Sequence, residues 1–415
     1  DIDDHGQEGM ELAFESWLAG TPGKKKVIQD RRGRRVEDVD LIAAAEPGKD
    51  LTLSIDRRIQ YLAYRELKNA LIEHKATSGS VVVLDVPTGE VLAMVNQPSY
   101  NPNSRTRERG GSVRNRAATD VFEPGSVVKA FTAAAALETG RFQADSKIET
   151  APGQLPVSGG FVVKDVRNFG TLDVTGILTK SSNVGATKLA QAIEDEFLYD
   201  MFHRFGFGSV TGSMFPGESP GVLPDYKRWR PIEKVTLSYG YGLSVTALQL
   251  ANSYAALANG GRMRAPTFVK GGANPDTAVI DPALAQTVLD MLETVTGPAG
   301  TAGKAAVPYY RVAGKSGTSI KAGVGGYTEA RYISVFAGMA PVSNPRLAAV
   351  VVINDPTAGQ YYGGLVAAPA FGQIVGGALR LMNVTPDSQL IVEQQRSREE
   401  ELEAAAEAVG EATLP

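Results

Sequence analysis

Strand-like runs stand at the two ends of this sequence, and the long stretch between them reads as helix and loop. Ser80–Asp85 and Glu90–Val95, joined by Pro87-Thr88-Gly89, have the pattern of a hairpin. Val312–Thr318, Tyr332–Met339 and Leu347–Val352 add strands far downstream. From Phe122 to Leu292 the apolar spacing is mostly helical, broken by loops. Such a chain predicts an α+β domain whose single sheet joins N- and C-terminal strands, with helices on both faces and a helical subdomain.

At 415 residues there is length for two domains, one with a large core. Residues 1–50 form a separate small unit. Met10, Ala13, Phe14, Trp17 and Leu18 fall at helical spacing within Glu8–Ala19. Residues 24–36 read as a hairpin with a charged turn, a solvated ribbon edge and not a polyanion site. Pro47-Gly48-Lys49-Asp50 marks a boundary. Leu51–Ile55 then alternates like a strand, and Ile59, Leu62, Ala63, Leu67, Ala70 and Leu71 give a helix. Leu365–Leu381, interrupted by Pro369, Gln373 and Arg380, reads as a buried helix on a sheet, not a bilayer span. Glu393–Pro415 is Glu/Ala-rich without apolar periodicity and reads as an acidic tail. The expected division is 1–50, 51–385 and 386–415. The chain opens at Asp1 with no signal peptide, which is expected of a processed or trimmed fragment.

Composition narrows the chemistry. A net charge of −4 offers nothing to nucleic acid or an anionic membrane surface. The absence of cysteine removes disulfides, thiol catalysis and Cys-ligated zinc, and suits an oxidising compartment. His5, His74 and His203 are scattered, so neither a histidine triad nor a His-ligated metal is expected, and no cofactor is called for.

Three motifs remain: Ser126-Val127-Val128-Lys129, Ser181-Ser182-Asn183 and Lys315-Ser316-Gly317-Thr318. Alone, each is an ordinary helix, cap or loop sequence. Together they describe serine acyl transfer without histidine, because a serine hydroxyl needs a neighbouring base. Ser126 and Lys129 are three apart, on one face of the helix that Ala130–Leu137 predicts and Gly140 ends. Ser126 is then expected at a helix N-terminus, where free N–H groups favour negative charge. Lys129 acts as a base only when neutral. From an ordinary value of about 10.4, that requires roughly 4 kcal/mol, supplied by burial and a second cation, Lys315. Ser181 can pass protons, and Asn183 can hold a substrate amide and the lysine together. Lys315–Thr318 fits a strand edge, with Gly317 permitting close substrate approach. Ser316 and Thr318, with the Lys315 charge, suit a carboxylate.

A trio of this kind is the signature of class A β-lactamases and penicillin-binding proteins. Phe122-Glu123-Pro124-Gly125-Ser126, Lys180–Gly185, Tyr239–Thr246 and Gly314–Thr318 resemble, more narrowly, the class B penicillin-binding proteins of the division-specific penicillin-binding protein 3 type. The resemblance covers nearly all of residues 1–385. It implies a penicillin-binding/serine β-lactamase-like transpeptidase fold, with a mainly antiparallel sheet, and makes residues 1–50 the remnant of a pedestal (dimerisation-type) domain. It implies a periplasmic D,D-transpeptidase, anchored in the inner membrane by an N-terminal helix absent from this chain. Such an enzyme cross-links peptidoglycan stem peptides in septal wall synthesis and is acylated by β-lactams. Expected partners are D-Ala-D-Ala donor and amine acceptor stems, a membrane-embedded SEDS-type glycosyltransferase and other division proteins. Carried over by motif, Ser126 is the nucleophile, Lys129 its base and Ser181 the proton shuttle. Asn183 positions the substrate amide. Lys315, Ser316 and Thr318 bind the carboxylate, and the N–H groups of Ser126 and Thr318 form the oxyanion hole. Glu123, Gly317, Tyr241 and Tyr362 are assigned to substrate binding, with Tyr361–Gly364 beside the cleft. Close relatives often carry Arg where this chain has Ile320. The alternatives are a serine β-lactamase, for which no Glu-x-x-Leu-Asn segment is found, a water-using carboxypeptidase, and a β-lactam sensor or scaffold.

Overall fold

The computed structural model describes residues 5–101, 113–272, 274–321 and 331–388. The N-terminal unit holds two short helices, α1 (Gly9–Ala13) and α2 (Glu15–Leu18), and a hairpin of β1 (Lys24–Gln29) and β2 (Arg35–Ala43). The helix expected over Glu8–Ala19 is broken at Phe14, whose φ of −115° is not helical. Nearly every hairpin residue is exposed, and the register slips three times. The expected strand over Leu51–Ile55 reduces to one bridge, Leu53 to Val269.

The larger unit opens with α3 (Arg57–Glu73), β3 (Ser78–Asp85) and β4 (Val91–Gln97). Asp56 caps α3 by accepting from the Arg58 N–H. The middle contains α4 (Arg116–Thr119), α5 (Lys129–Glu138), β5 (Lys147–Glu149), β6 (Gln154–Pro156), β7 (Val162–Lys164) and β8 (Thr171–Asp173). It continues through α6 (Val174–Lys180), α7 (Asn183–Gln191), α8 (Asp195–Arg204), α9 (Pro231–Leu237), α10 (Ala247–Ala258), β9 (Arg262–Arg264), β10 (Asp276–Ala278) and α11 (Pro282–Thr296). The end supplies β11 (Ala313–Ile320), β12 (Tyr332–Ala340), β13 (Leu347–Asn354), α12 (Gly363–Val366) and α13 (Ala368–Leu381).

The main sheet has the order β11-β12-β13-β3-β4 with every neighbouring pair antiparallel, so the early strands β3 and β4 pair with the late strands β11–β13 as expected. The central strands β3 and β13 are buried on both sides and read as largely apolar runs. The reason is that α3 and α13 cover one face, while α10 and α11 cover the other. All of α10 is buried, and Ala-rich α5 is buried from Lys129 to Ala136 against α7, α8 and α11. At its centre Phe131 meets Phe205, Phe207 and Tyr254 with ring centroids 4.7, 5.1 and 5.6 Å away. Thus β11 is an edge strand whose outer side looks toward the start of α5. Among the described residues no helix is long and apolar enough to cross a membrane. The expected acidic tail from Glu393 lies outside the described residues.

Candidate active site

Ser126 lies at the start of the helix, as the pattern predicts, on a turn of 3-10 helix, Gly125–Val128, that runs into α5. Gly125, at φ +58°, starts this tighter turn. Residues three apart eclipse in 3-10 geometry, so Ser126 and Lys129 keep a common face. The turn is pinned from behind. Gly125 N donates to Gly240 O at 3.1 Å, and the Tyr254 hydroxyl donates to Val127 O at 2.8 Å. A side chain at Gly240, itself at φ +91°, would overlap Gly125 O, which accounts for the glycine in Tyr239-Gly240-Tyr241-Gly242.

Lys129 is buried and points at the second motif. Its Nζ donates to Ser181 O at 2.6 Å, Asn183 Oδ1 at 2.7 Å and Ser181 Oγ at 3.3 Å. Burial pushes the amine well below its ordinary value, the Lys315 charge adds to that, and Asp165 opposes it. Lys315, also buried, donates to the same Ser181 Oγ at 2.9 Å and to Ser316 O at 3.0 Å; burial lowers its pKa to about 7. Ser181 therefore stands between the two lysines.

The second motif is a junction between helices. Ser181 ends α6 in the left-handed region at φ 59°, and Ser182 caps α7 through Gly185 N. A residue absent from the sequence reading holds this junction. Asp165, just after β7, accepts from the Ser182 hydroxyl at 2.6 Å, and from the backbone N–H groups of Asn183 and Val184 at 2.5 and 3.1 Å. Asn183 Nδ2 donates to Lys164 O at 2.9 Å. Nothing in the sequence spacing joins Asp165 to a serine 17 positions away.

The third motif lies on edge strand β11, as its pattern predicted. Gly317 already has a close neighbour within the chain. A Cβ there would come within 2.6 Å of Pro124 O and 3.1 Å of Val127 Cγ1. The close neighbour is the Ser126 turn itself, so Gly317 lets the first and third motifs approach each other. Gly125 likewise faces the Thr318 backbone. Thr318 Oγ1 accepts from Gly363 N at 2.9 Å, and Ser316 Oγ lies 3.0 Å from Thr301 Oγ1.

The remaining expected residues frame the same region. The Glu123 carboxylate accepts from Gly242 N at 2.8 Å, and the Tyr241 hydroxyl accepts from Ile320 N at 3.1 Å. Ile320 thus contributes its backbone here. Tyr361 stacks on Tyr332 at 4.0 Å, and half-exposed Tyr362 leans on Tyr361 at 4.6 Å. Of the histidines, His74 is buried, His203 stacks on Tyr199, and His5 contacts Glu15.

A helix-covered antiparallel sheet, with a Ser-x-x-Lys turn and a Ser-Ser-Asn junction opposite its Lys-Ser-Gly-Thr edge, defines the class of penicillin-binding/serine β-lactamase-like transpeptidase folds. Residues 79–376 match the penicillin binding protein transpeptidase domain, and residues 2–53 match the penicillin-binding protein dimerisation domain. The chain belongs to the penicillin-binding protein transpeptidase family. It is 47% identical over 388 residues to peptidoglycan D,D-transpeptidase FtsI of Escherichia coli K12, covering 93% of this chain and 65% of that relative. It is 42% identical to the probable peptidoglycan D,D-transpeptidase PenA of Neisseria gonorrhoeae, covering 94% of this chain and 67% of the relative. The transpeptidase domain of Burkholderia pseudomallei penicillin-binding protein 3 superposes with a TM-score of 0.74 at 42% identity, covering 82% of this chain and 99% of that one.

Proposed function

We propose that this chain is the catalytic part of a class B, division-type D,D-transpeptidase that cross-links peptidoglycan stem peptides and is trapped by β-lactams. The observation that carries the reading is the pair of buried lysines on either side of Ser181, with Ser126 one 3-10 turn from the first lysine. The Ser126 hydroxyl attacks the carbonyl of the D-Ala-D-Ala bond while neutral Lys129 takes its proton. Two N–H groups, of Ser126 and Thr318, stabilise the oxyanion, each worth about 3–4 kcal/mol. Ser181 relays the proton to the departing D-Ala nitrogen as the C–N bond breaks. An amine of a second stem then attacks the ester carbon, forms the new amide and releases Ser126 with its proton restored. Asn183 orients the donor amide and, with Ser181, holds Lys129 in place. Lys315, Ser316 and Thr318 receive the terminal carboxylate. Glu123 and Tyr241 shape one rim of the cleft, and Tyr362 offers an exposed ring at the other.

The same reading puts residues 51–385 in the periplasm as the catalytic domain. Residues 1–50 belong to a pedestal, and a helix outside this sequence is the inner-membrane anchor. The protein partners would be a SEDS-type glycosyltransferase and other division proteins. The deciding experiment is intact-mass measurement after adding benzylpenicillin. A one-to-one adduct that persists for many minutes and disappears in Ser126→Ala is expected. Rapid return to the free mass would identify a β-lactamase, and no adduct would overturn the site.

A further inference from the structure

Two hydroxyls on β11 face the proposed carboxylate pocket, and each is already engaged from behind. Thr318 Oγ1 accepts from Gly363 N at 2.9 Å, which occupies a lone pair and leaves its own proton to point elsewhere. Ser316, 8% exposed, has its Oγ 3.0 Å from the hydroxyl of Thr301, an exposed residue outside all three motifs. A hydroxyl pair carries two protons, and one of them must lie between the oxygens. If Ser316 donated to Thr301, its lone pairs would remain facing an arriving anion. With an anion in the pocket, the favourable order is Thr301 to Ser316 to anion, each bond polarising the next.

The backbone around Thr301 is built to hold that position. Gly300 N donates to Gly297 O, and Ala302 N donates to Val295 O at 3.0 Å, closing a tight loop after α11. Lys180, the residue before Ser181, donates to Ala299 O at 2.7 Å. On the other side a Cβ at Gly364 would overlap Thr301 O, so this loop also abuts the segment that donates to Thr318. One loop therefore touches the surroundings of both the second and third motifs.

We propose that Thr301 is a positioning residue for carboxylate recognition: its hydroxyl donates to Ser316 Oγ and so turns the Ser316 proton toward the carboxylate of the acyl donor. This rests on the transpeptidase reading above. The Gly363–Thr318 contact sets the second hydroxyl in the same way, so the pocket meets its anion with both protons already directed.

The test compares the purified chain with Thr301→Val, which keeps the shape, and Thr301→Ser, which keeps the hydroxyl. Acylation of Ser126 is followed by intact mass with benzylpenicillin and with its methyl ester, which lacks the carboxylate. Thr301→Val is expected to slow acylation by benzylpenicillin about 3- to 10-fold, the span of one hydrogen bond, and to leave the ester rate nearly unchanged. Thr301→Ser is expected to restore the acid rate. Equal slowing of both compounds would mean that Thr301 only shapes the loop, and no slowing would mean that Ser316 needs no partner; either result overturns the proposal. A wild-type chain that forms no adduct would instead remove the transpeptidase reading beneath it.

Discussion

The two walls of the cleft are made of different material. One wall is β11, paired with β12 along its whole length, so its position is set by a continuous backbone ladder. The other is the 3-10 turn before α5 together with the α6–α7 junction, where a left-handed serine and a few side-chain bonds do the same task. In the proposed mechanism the strand wall carries the carboxylate-binding groups, which need only to stay in register. The helical wall carries the groups proposed to exchange protons, and these depend on contacts that one substitution can remove. On that proposal, rigidity by ladder and placement by cap divide binding from proton transfer.

Removing the base should break the helical wall most severely. Lys129→Ala is expected to slow acylation by benzylpenicillin about 10²- to 10⁴-fold, measured as adduct formation over time. A loss below about 10-fold would take Lys129 out of the proton path. The junction comes next. Asp165→Ala strips the acceptor from the Ser182 hydroxyl and two backbone N–H groups, and it should lower unfolding free energy by about 1–3 kcal/mol in urea titrations. Acylation should fall more than about 10-fold as Ser181 and Asn183 shift. If stability drops but acylation holds, the junction does not depend on this cap.

The strand wall should respond to pH through Lys315. Burial lowers its pKa to about 7, so the cation is present below that value and is lost as pH rises through it. Non-covalent affinity for benzylpenicillin is therefore expected to weaken above about pH 7, whereas affinity for the methyl ester should not. A carboxylate-specific affinity that stays flat from about pH 6 to about pH 9 would contradict this placement of charge. The smallest effect belongs to the bond that Tyr241 makes to the end of β11. Tyr241→Phe frees the Ile320 N–H and should cost about 0.5–1.5 kcal/mol in acylation, seen as a several-fold slower rate. No change would show that the ladder alone holds this end of β11.

Three strands of the main sheet were legible because they are long and strongly apolar. Ser80–Asp85, Tyr332–Met339 and Leu347–Val352 fall inside β3, β12 and β13. The short strands of the middle region were not. β6 and β7 have three residues each, too few for a period to emerge, and their pairing depends on a turn and on packing against α7. That hairpin delivers Asp165, so the residue that holds the second motif stayed hidden with it. The Leu51–Ile55 run alternates like a strand yet forms a single bridge, a tertiary override of local pattern. Gly317 was legible as a close-approach glycine, but not what approaches it.

By itself the sequence determined the candidate reactive groups and their order: a serine with a lysine three residues on, a polar middle motif and a lysine-bearing strand. Identity and local spacing suffice there, because a helical turn fixes what residues 126 and 129 can reach. Only the tertiary structure decided that Lys129 meets Ser181 and Asn183, 52 and 54 positions away, and that Lys315 reaches Ser181 across 134. It also decided the loss of water around both amines. Those closures follow from burying α5 and pairing early and late strands in one sheet, and that burial is what moves two lysines toward neutrality.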